Sequence, residues 1–142
     1  MPRRLMAILA APALLMVGSS SVRADDLTGA DQILCTAVQI SVCSLDGECE
    51  EGPPWDYNIP QFIEIDLARK QLSTTKASGE NRSTPIKNLL REDGKIFLQG
   101  IEKGRAFSFL IEESTGMATV AVARDGLTVS VFGSCTTIPS AK

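Results

Sequence analysis

Residue pairs that favour tight turns occur at three places along this chain. Asp-Gly pairs occur at Asp46-Gly47, Asp93-Gly94 and Asp125-Gly126. Such pairs favour β-hairpins, because glycine adopts a positive φ without steric cost. The segments between them alternate apolar and polar residues, and beyond residue 24 no stretch sustains the period of about 3.6 residues that an amphipathic helix needs. The pattern therefore predicts half-buried strands.

The alternating segments define eight predicted strands, at 33–43, 61–67, 71–75, 84–90, 95–101, 105–112, 117–123 and 127–135. Tight turns join strands that are consecutive in sequence and so make an antiparallel meander, since parallel pairing needs long crossover connections. The predicted fold class is all-β, a small antiparallel up-and-down barrel of about eight strands that is stabilised by disulfides. A two-sheet sandwich is the alternative.

The first 24 residues have the three parts of an export signal. Arg3 and Arg4 precede an apolar run from Leu5 to Val17, and small residues follow up to Ala24. The apolar run is shorter than the roughly 20 residues that cross a bilayer. We therefore predict that residues 1–24 are a signal peptide and that 25–142 are a single secreted β domain. The expected location is periplasmic or extracellular in a bacterium, with no membrane span in the mature chain.

Four cysteines follow this predicted signal: Cys35, Cys43, Cys49 and Cys135. An even count in an oxidising compartment indicates disulfides, and the chain has neither histidine nor a Cys-x-x-Cys pair for a zinc finger. A three-residue hairpin loop with Gly47 in the left-handed region would place Cys43 opposite Cys49. That leaves Cys35 to bond Cys135, on the first and last strands, which are neighbours in an even-stranded barrel.

On the first and last predicted strands, the two cysteines of this second bridge do not have the same position relative to the core-facing residues. Cys135 has the same phase as Val131, whereas Cys35 is out of phase with Ile40. A β-bulge inserts one residue and reverses the phase beyond it. The Cys35–Cys135 bridge therefore requires a bulge in one of the two strands.

Charge is distributed unevenly along the chain. Residues 25–142 contain eleven basic and seventeen acidic residues, a net charge of −6. Ten of the acids and none of the bases fall in 25–66. This balance argues against a nucleic-acid partner, because phosphate binding needs concentrated Lys and Arg. Two interpretations remain: the halves neutralise each other across the fold, or an acidic face attracts a basic protein partner.

The chain lacks several of the residue types that enzymes commonly use in catalysis. Without histidine there is no Ser-His-Asp triad, no Cys-His dyad and no imidazole acid or base. Disulfide bonding of the cysteines would remove thiol chemistry as well. We therefore predict a protein that is not an enzyme, with no catalytic residue, no cofactor and no metal ligand.

One irregular segment, 50–60, contains the only Trp and the only Tyr, and acids are concentrated around it. Trp and Tyr are enriched at the centres of protein interfaces. The candidate partner contacts are Asp46, Glu48, Glu50, Glu51, Trp55, Asp56 and Tyr57. Two alternatives stay open for this segment: calcium binding by the acidic cluster, and Trp55 as a plug in the open end of the barrel.

Three segments of the C-terminal half, 98–102, 104–108 and 131–136, resemble short exported bacterial β-barrel proteins that have no established function. In size, acidity and its C-terminal cysteine, Cys135, the chain also resembles the periplasmic C-type lysozyme inhibitors. That resemblance implies a small disulfide-bonded β-barrel. It does not extend to the inhibitory motifs Ser-Gly-x-x-Tyr and Thr-Lys-Gly, which the sequence lacks.

The predicted function is a non-enzymatic binding module for a protein or a small ligand. One alternative is a structural or envelope-associated protein without a discrete ligand. Another is an inhibitor of a basic secreted enzyme such as lysozyme. A deep apolar cavity would favour the small ligand, whereas a filled core with an exposed Trp55 would favour protein recognition.

Overall fold

The computed structural model of the protein describes residues 25–139. They form the strands β1 (Gln32–Ser44), β2 (Cys49–Gly52), β3 (Phe62–Asp66), β4 (Gln71–Thr74), β5 (Ser83–Pro85), β6 (Asn88–Glu92), β7 (Lys95–Glu102), β8 (Arg105–Glu112), β9 (Met117–Arg124) and β10 (Leu127–Thr137). Two short 3₁₀ helices span Pro54–Tyr57 and Lys76–Ser78. The predicted signal peptide, residues 1–24, lies outside the described residues.

All ten strands belong to one antiparallel sheet that curls into a half-barrel. The strand order is β5-β4-β3-β1-β10-β9-β8-β7-β6, and β2 pairs with the part of β1 that extends beyond β3. The two ends of this order are consecutive in sequence, because only Ile86 and Lys87 connect β5 to β6. The Lys87 amide donates to the Gln99 carbonyl of β7, which brings these two ends of the sheet together. The predicted all-β antiparallel fold is confirmed.

Two details of the predicted strands were wrong. The predicted strand 84–90 is divided, because the Ile86 amide donates to Lys70 on one side and the Lys87 amide to Gln99 on the other. The chain therefore changes pairing partner between β5 and β6. The irregular segment 50–60 also begins with a strand, β2, which the preceding hairpin and the Cys43–Cys49 bridge align with β1.

Both predicted disulfides are confirmed, and so is the bulge that they require. Cys35 lies opposite Cys135 between β1 and β10, and the sulfurs of the two residues are bonded. The register between these strands passes from Ala37 directly to Gln39, so that Val38 is the extra residue and its side chain is 62% exposed. Because the bulge reverses the alternation, Cys35 and Ile40 both face the core.

A glycine on the partner strand accommodates this bulge. Gly133 lies opposite Ala37, and a Cβ atom at Gly133 would be 2.1 Å from the carbonyl oxygen of Thr36. The two backbones therefore approach more closely than a residue with a side chain permits.

The segment before β1 closes one end of the half-barrel. Leu27 is fully buried, and its amide donates to the Glu113 carbonyl in the turn between β8 and β9. Arg91 of β6 donates to the carbonyls of Leu27 and Ala30 and forms an ion pair with the buried Glu113. The Leu67 amide, beyond β3, donates to Asp31 of the same segment. Within residues 25–139, no helix is long and apolar enough to cross a membrane.

Candidate functional site

The concave side of the sheet encloses a cavity of about 360 Å³. Small-molecule sites in proteins have volumes of about 300–1,000 Å³ and mostly apolar linings. This cavity has the same character, since strands β1, β8, β9 and β10 line it chiefly with aliphatic and aromatic side chains. It is the feature of the described chain that most resembles a ligand site.

Two neighbouring rows of side chains on the concave face differ in how deeply they are buried. One row crosses four strands through Phe109, Val120, Val131 and Ile40, and all four residues are buried. The next row outward is Phe107, Val122, Val129 and Val42. We call this second row the apolar row; its members are only half-buried and all line the cavity. The residues that the structure describes therefore cover the apolar row only in part, and its remaining surface faces the cavity.

Gly100 on β7 shapes one side of the apolar row. It lies opposite Phe107, and a Cβ atom there would be 2.4 Å from Cζ of the Phe107 ring. The missing side chain lets the ring lie across β7, where it also makes an edge-to-face contact with Phe109 at 5.8 Å between ring centroids. Any larger residue at this position would move Phe107 into the cavity or out of the row.

Four charged side chains line the cavity at its mouth: Arg82, Glu102, Arg105 and Arg124. They come from the residue before β5, the end of β7, the start of β8 and the end of β9. Antiparallel neighbours bring the end of one strand beside the start of the next, so these residues meet at one end of the sheet. This end is opposite to the one that Leu27 closes.

Glu102 is the centre of the charged cluster. Nη2 of Arg82 donates to its Oε2 at 2.8 Å and Nε to its Oε1 at 3.3 Å, while the Thr84 hydroxyl donates to Oε1 at 3.1 Å. Nη2 of Arg105 donates to Oε2 at 3.3 Å. Burial acts to raise the pKa of Glu102, but the hydrogen bonds and charge of Arg82, with Thr84 and Arg105, hold it below its ordinary value. Glu102 is therefore a carboxylate at neutral pH.

The lowered pKa of Glu102 predicts a loss of stability in acid. A carboxyl whose pKa is lower in the folded state stabilises that state above its ordinary pKa of 4.5, and the contribution disappears as pH falls through the lowered folded-state value. Thermal melts from roughly pH 7 to pH 3 should therefore show a smaller decrease in Tm for Glu102→Gln than for the unmodified protein. Equal decreases would contradict the assignment.

The loop after β2 covers another part of the mouth. Tyr57, Asn58, Ile59 and Pro60 line the cavity there. The 3₁₀ helix Pro54–Tyr57 is followed by the capping residue Asn58, which has a φ of 54°, and its first residue, Pro54, is buried. Burial raises the pKa of Tyr57, and the negative charges of Glu50, Asp56 and Glu51 raise it further. Tyr57 therefore presents a protonated hydroxyl at neutral pH.

The structure separates the candidate contacts that the sequence grouped together. Asp46, Glu48, Glu50, Glu51, Trp55 and Asp56 are exposed, and none of them lines the cavity. Tyr57 alone turns inward and contacts the core. Trp55 is 68% exposed, so its interpretation as a plug of the barrel is wrong. Asp46 accepts hydrogen bonds from the Ser44 hydroxyl and the Glu48 amide, which lower its pKa and fix the hairpin.

In the described part of the chain, close ion pairs contribute little to joining the acidic half, 25–66, to the basic half. Among those ion pairs, only Arg69–Asp66 links 25–66 with the rest, and those two residues are neighbours in a turn. The other pairs lie within the basic half. Within residues 25–139, no group of three or more Cys, Asp or Glu side chains has the arrangement of a metal site.

Sequence reasoning missed the cavity and its charged mouth. The candidate contacts predicted from the sequence include none of Arg82, Glu102, Arg105 and Arg124. A usable signal was present, because each of these residues borders a turn at the same end of the predicted meander. No protein-family model matches this chain, and a search of the curated proteins finds no match to it.

Proposed function

We propose that this protein is an exported, non-enzymatic binding protein that holds a small, largely apolar molecule in the cavity of its half-barrel. The apolar row carries the proposal. Its half-buried side chains, such as Val122 and Val129, face about 360 Å³ of open volume. Covering apolar surface is favourable by about 25 cal/mol per Å², so a ligand that fills the cavity gains free energy from each member of the row.

The residues around the cavity close it at one end of the sheet and leave it open at the other. Leu27 and the Arg91–Glu113 pair close the far end, whereas the loop that includes Tyr57 borders the mouth. Two disulfides stiffen the walls, since Cys35–Cys135 joins β1 to β10 and Cys43–Cys49 joins β1 to β2. Such bonds persist in oxidising compartments, which supports the export that residues 1–24 predict.

Titration with Nile red, an uncharged dye that fluoresces in apolar surroundings, tests the proposal. The unmodified protein should enhance its emission with saturation at one dye per chain. Val122→Trp places a large ring in the cavity and should weaken binding at least tenfold, because it removes the volume that the dye occupies. Ala121→Trp, on the exposed face of the same strand, is the matched control and should bind as the unmodified protein does. Equal binding by both variants would reject the cavity as the site.

A second candidate function, recognition of a basic protein, is favoured by the exposure of Trp55. Its side chain is 68% exposed on a 3₁₀ helix that follows the disulfide-linked hairpin. An aromatic side chain held in this way loses little conformational entropy on binding. Glu50 and Glu51 are exposed nearby and would steer a basic partner toward it. Inhibition of a basic secreted enzyme such as lysozyme is one form of this function.

Lysozyme, a basic secreted enzyme, is the probe for this second candidate. If it is the partner, Trp55→Ala should weaken inhibition by about 2 kcal/mol or more, while Leu90→Ala, an exposed residue on β6, should not. In the free protein Trp55 should emit at long wavelength and be quenched readily by acrylamide, since it is the only Trp and is exposed. A lysozyme whose activity the protein leaves unchanged at equimolar and excess ratios would reject this form of the function.

A further inference from the structure

The mouth of the cavity is positively charged although the protein as a whole is acidic. Three arginines and one glutamate line the cavity, a net charge of +2. Glu80 pairs with Arg82 from outside the lining, and counting it leaves +1. None of the exposed acids of the β1–β2 hairpin lines the cavity. A ligand that enters the cavity therefore passes a positively charged group of side chains at its mouth.

Only part of this positive charge is neutralised within the cluster. Arg82 is committed, because it makes two hydrogen bonds to Glu102 and a third to Glu80. Arg105 donates to the Glu102 carboxylate through Nη2 alone, at 3.3 Å, while its Nε donates to the Glu102 carbonyl at 3.5 Å, and its side chain is 35% exposed. Within residues 25–139, no carboxylate lies within 4.0 Å of the guanidinium of Arg124. Arg105 and Arg124 therefore retain donors for a ligand.

These two arginines are neighbours across the sheet. The register of β8 and β9 pairs Ala106 with Ala123, so Arg105 and Arg124 occupy the next position outward on adjacent strands. Like charges at such positions destabilise a sheet. An anion placed between them relieves that repulsion, and the planar donor fork of arginine suits carboxylate and phosphate oxygens.

The same two strands carry the apolar row. Arg105 is two residues from Phe107 on β8, and Arg124 is two residues from Val122 on β9. Residues two apart on a strand point to the same face, and all four line the cavity. One molecule can therefore place an acidic group on the arginines while its apolar part covers the row.

We infer that the natural ligand of this cavity is an anionic amphiphile, with an acidic head bound by Arg105 and Arg124 and an apolar body against the apolar row. This inference rests on the proposed function, since it names the class of molecule that the cavity holds. Carboxylate and phosphate heads share the required chemistry. The two arginines thus act as the residues that determine specificity.

Calorimetric titration with decanoate, decyl phosphate and decanol tests the inference on ligands that share one alkyl chain. At least one of the two anions should bind the unmodified protein about tenfold or more tightly than decanol, because charge-assisted hydrogen bonds are added at the mouth. The order of the two anions identifies the preferred head. Raised salt should weaken anion binding and leave decanol binding unchanged.

Arginine variants assign the effect to the mouth. Arg105→Gln combined with Arg124→Gln should reduce anion affinity to that of decanol without changing decanol affinity. Arg69→Gln, which removes an exposed arginine outside the cavity lining, is the matched control and should change neither. Equal affinity of the anions and decanol for the unmodified protein would overturn the inference and leave the proposed function intact. Failure of all three ligands and of Nile red to bind would overturn both.

Discussion

Replacing Cys35 and Cys135 together by alanine should lower the free energy of unfolding by up to about 4–5 kcal/mol. The bridge spans a sequence separation of 100 residues, so breaking it releases almost the whole domain in the unfolded state. It also fastens β1 to β10, the pair of strands at the centre of the sheet, directly beside the bulge at Val38. Urea denaturation of the oxidised protein and of the double variant measures the difference.

The second disulfide provides the matched control for this experiment. Cys43 and Cys49 are separated by only 6 residues, and a loop of that length contributes about 2 kcal/mol in the same chain-entropy model. The Cys43→Ala, Cys49→Ala variant should therefore lose only about half as much stability. If the two double variants are equally destabilised, loop length is not the origin of the effect, and local packing around Cys35 must account for it.

The strands and disulfides could be predicted because they depend on local turn sequences and on the few possible pairings of four cysteines. Asp93-Gly94 and Asp125-Gly126 each fix a hairpin, and the four cysteines become two pairs once the Cys43–Cys49 hairpin is recognised. The bulge followed from phase alone, since Cys35 and Ile40 cannot both face inward on a regular strand. The division at Ile86 could not be predicted in this way, because it depends on which strand each amide meets.

The candidate site depended on information that the sequence does not display locally. Four charged residues line the mouth, and only the register of the finished sheet brings them together, because they lie before β5 and on β7, β8 and β9: Arg82, Glu102, Arg105 and Arg124. The orientation of Trp55 and Tyr57 was equally undetermined. They belong to one short 3₁₀ helix with no periodic pattern, and the missing side chain of Gly52 leaves room for the Tyr57 ring, since a Cβ atom at Gly52 would be 3.1 Å from its Cε2.

Leu27→Ala should destabilise the protein by about 2–4 kcal/mol. The side chain is fully buried, so truncation removes apolar contacts and leaves a cavity. The surroundings cannot easily collapse into that cavity, because the Leu27 amide donates to the Glu113 carbonyl and Arg91 donates to the Leu27 carbonyl, which holds the backbone in place. Leu45→Ala is the matched control, since Leu45 is 90% exposed in the β1–β2 hairpin and should change stability by less than about 0.5 kcal/mol.

The same variant separates the closed end of the half-barrel from its open one. Leu27 does not line the cavity, so Leu27→Ala should lower Tm while Nile red affinity, measured well below Tm, stays unchanged. Val122→Trp should do the reverse and weaken Nile red binding at least tenfold with a smaller loss of stability, because Val122 is only half-buried. A loss of dye binding in Leu27→Ala at a temperature where circular dichroism shows a folded sheet would mean that the N-terminal segment belongs to the ligand site rather than to the floor beneath it.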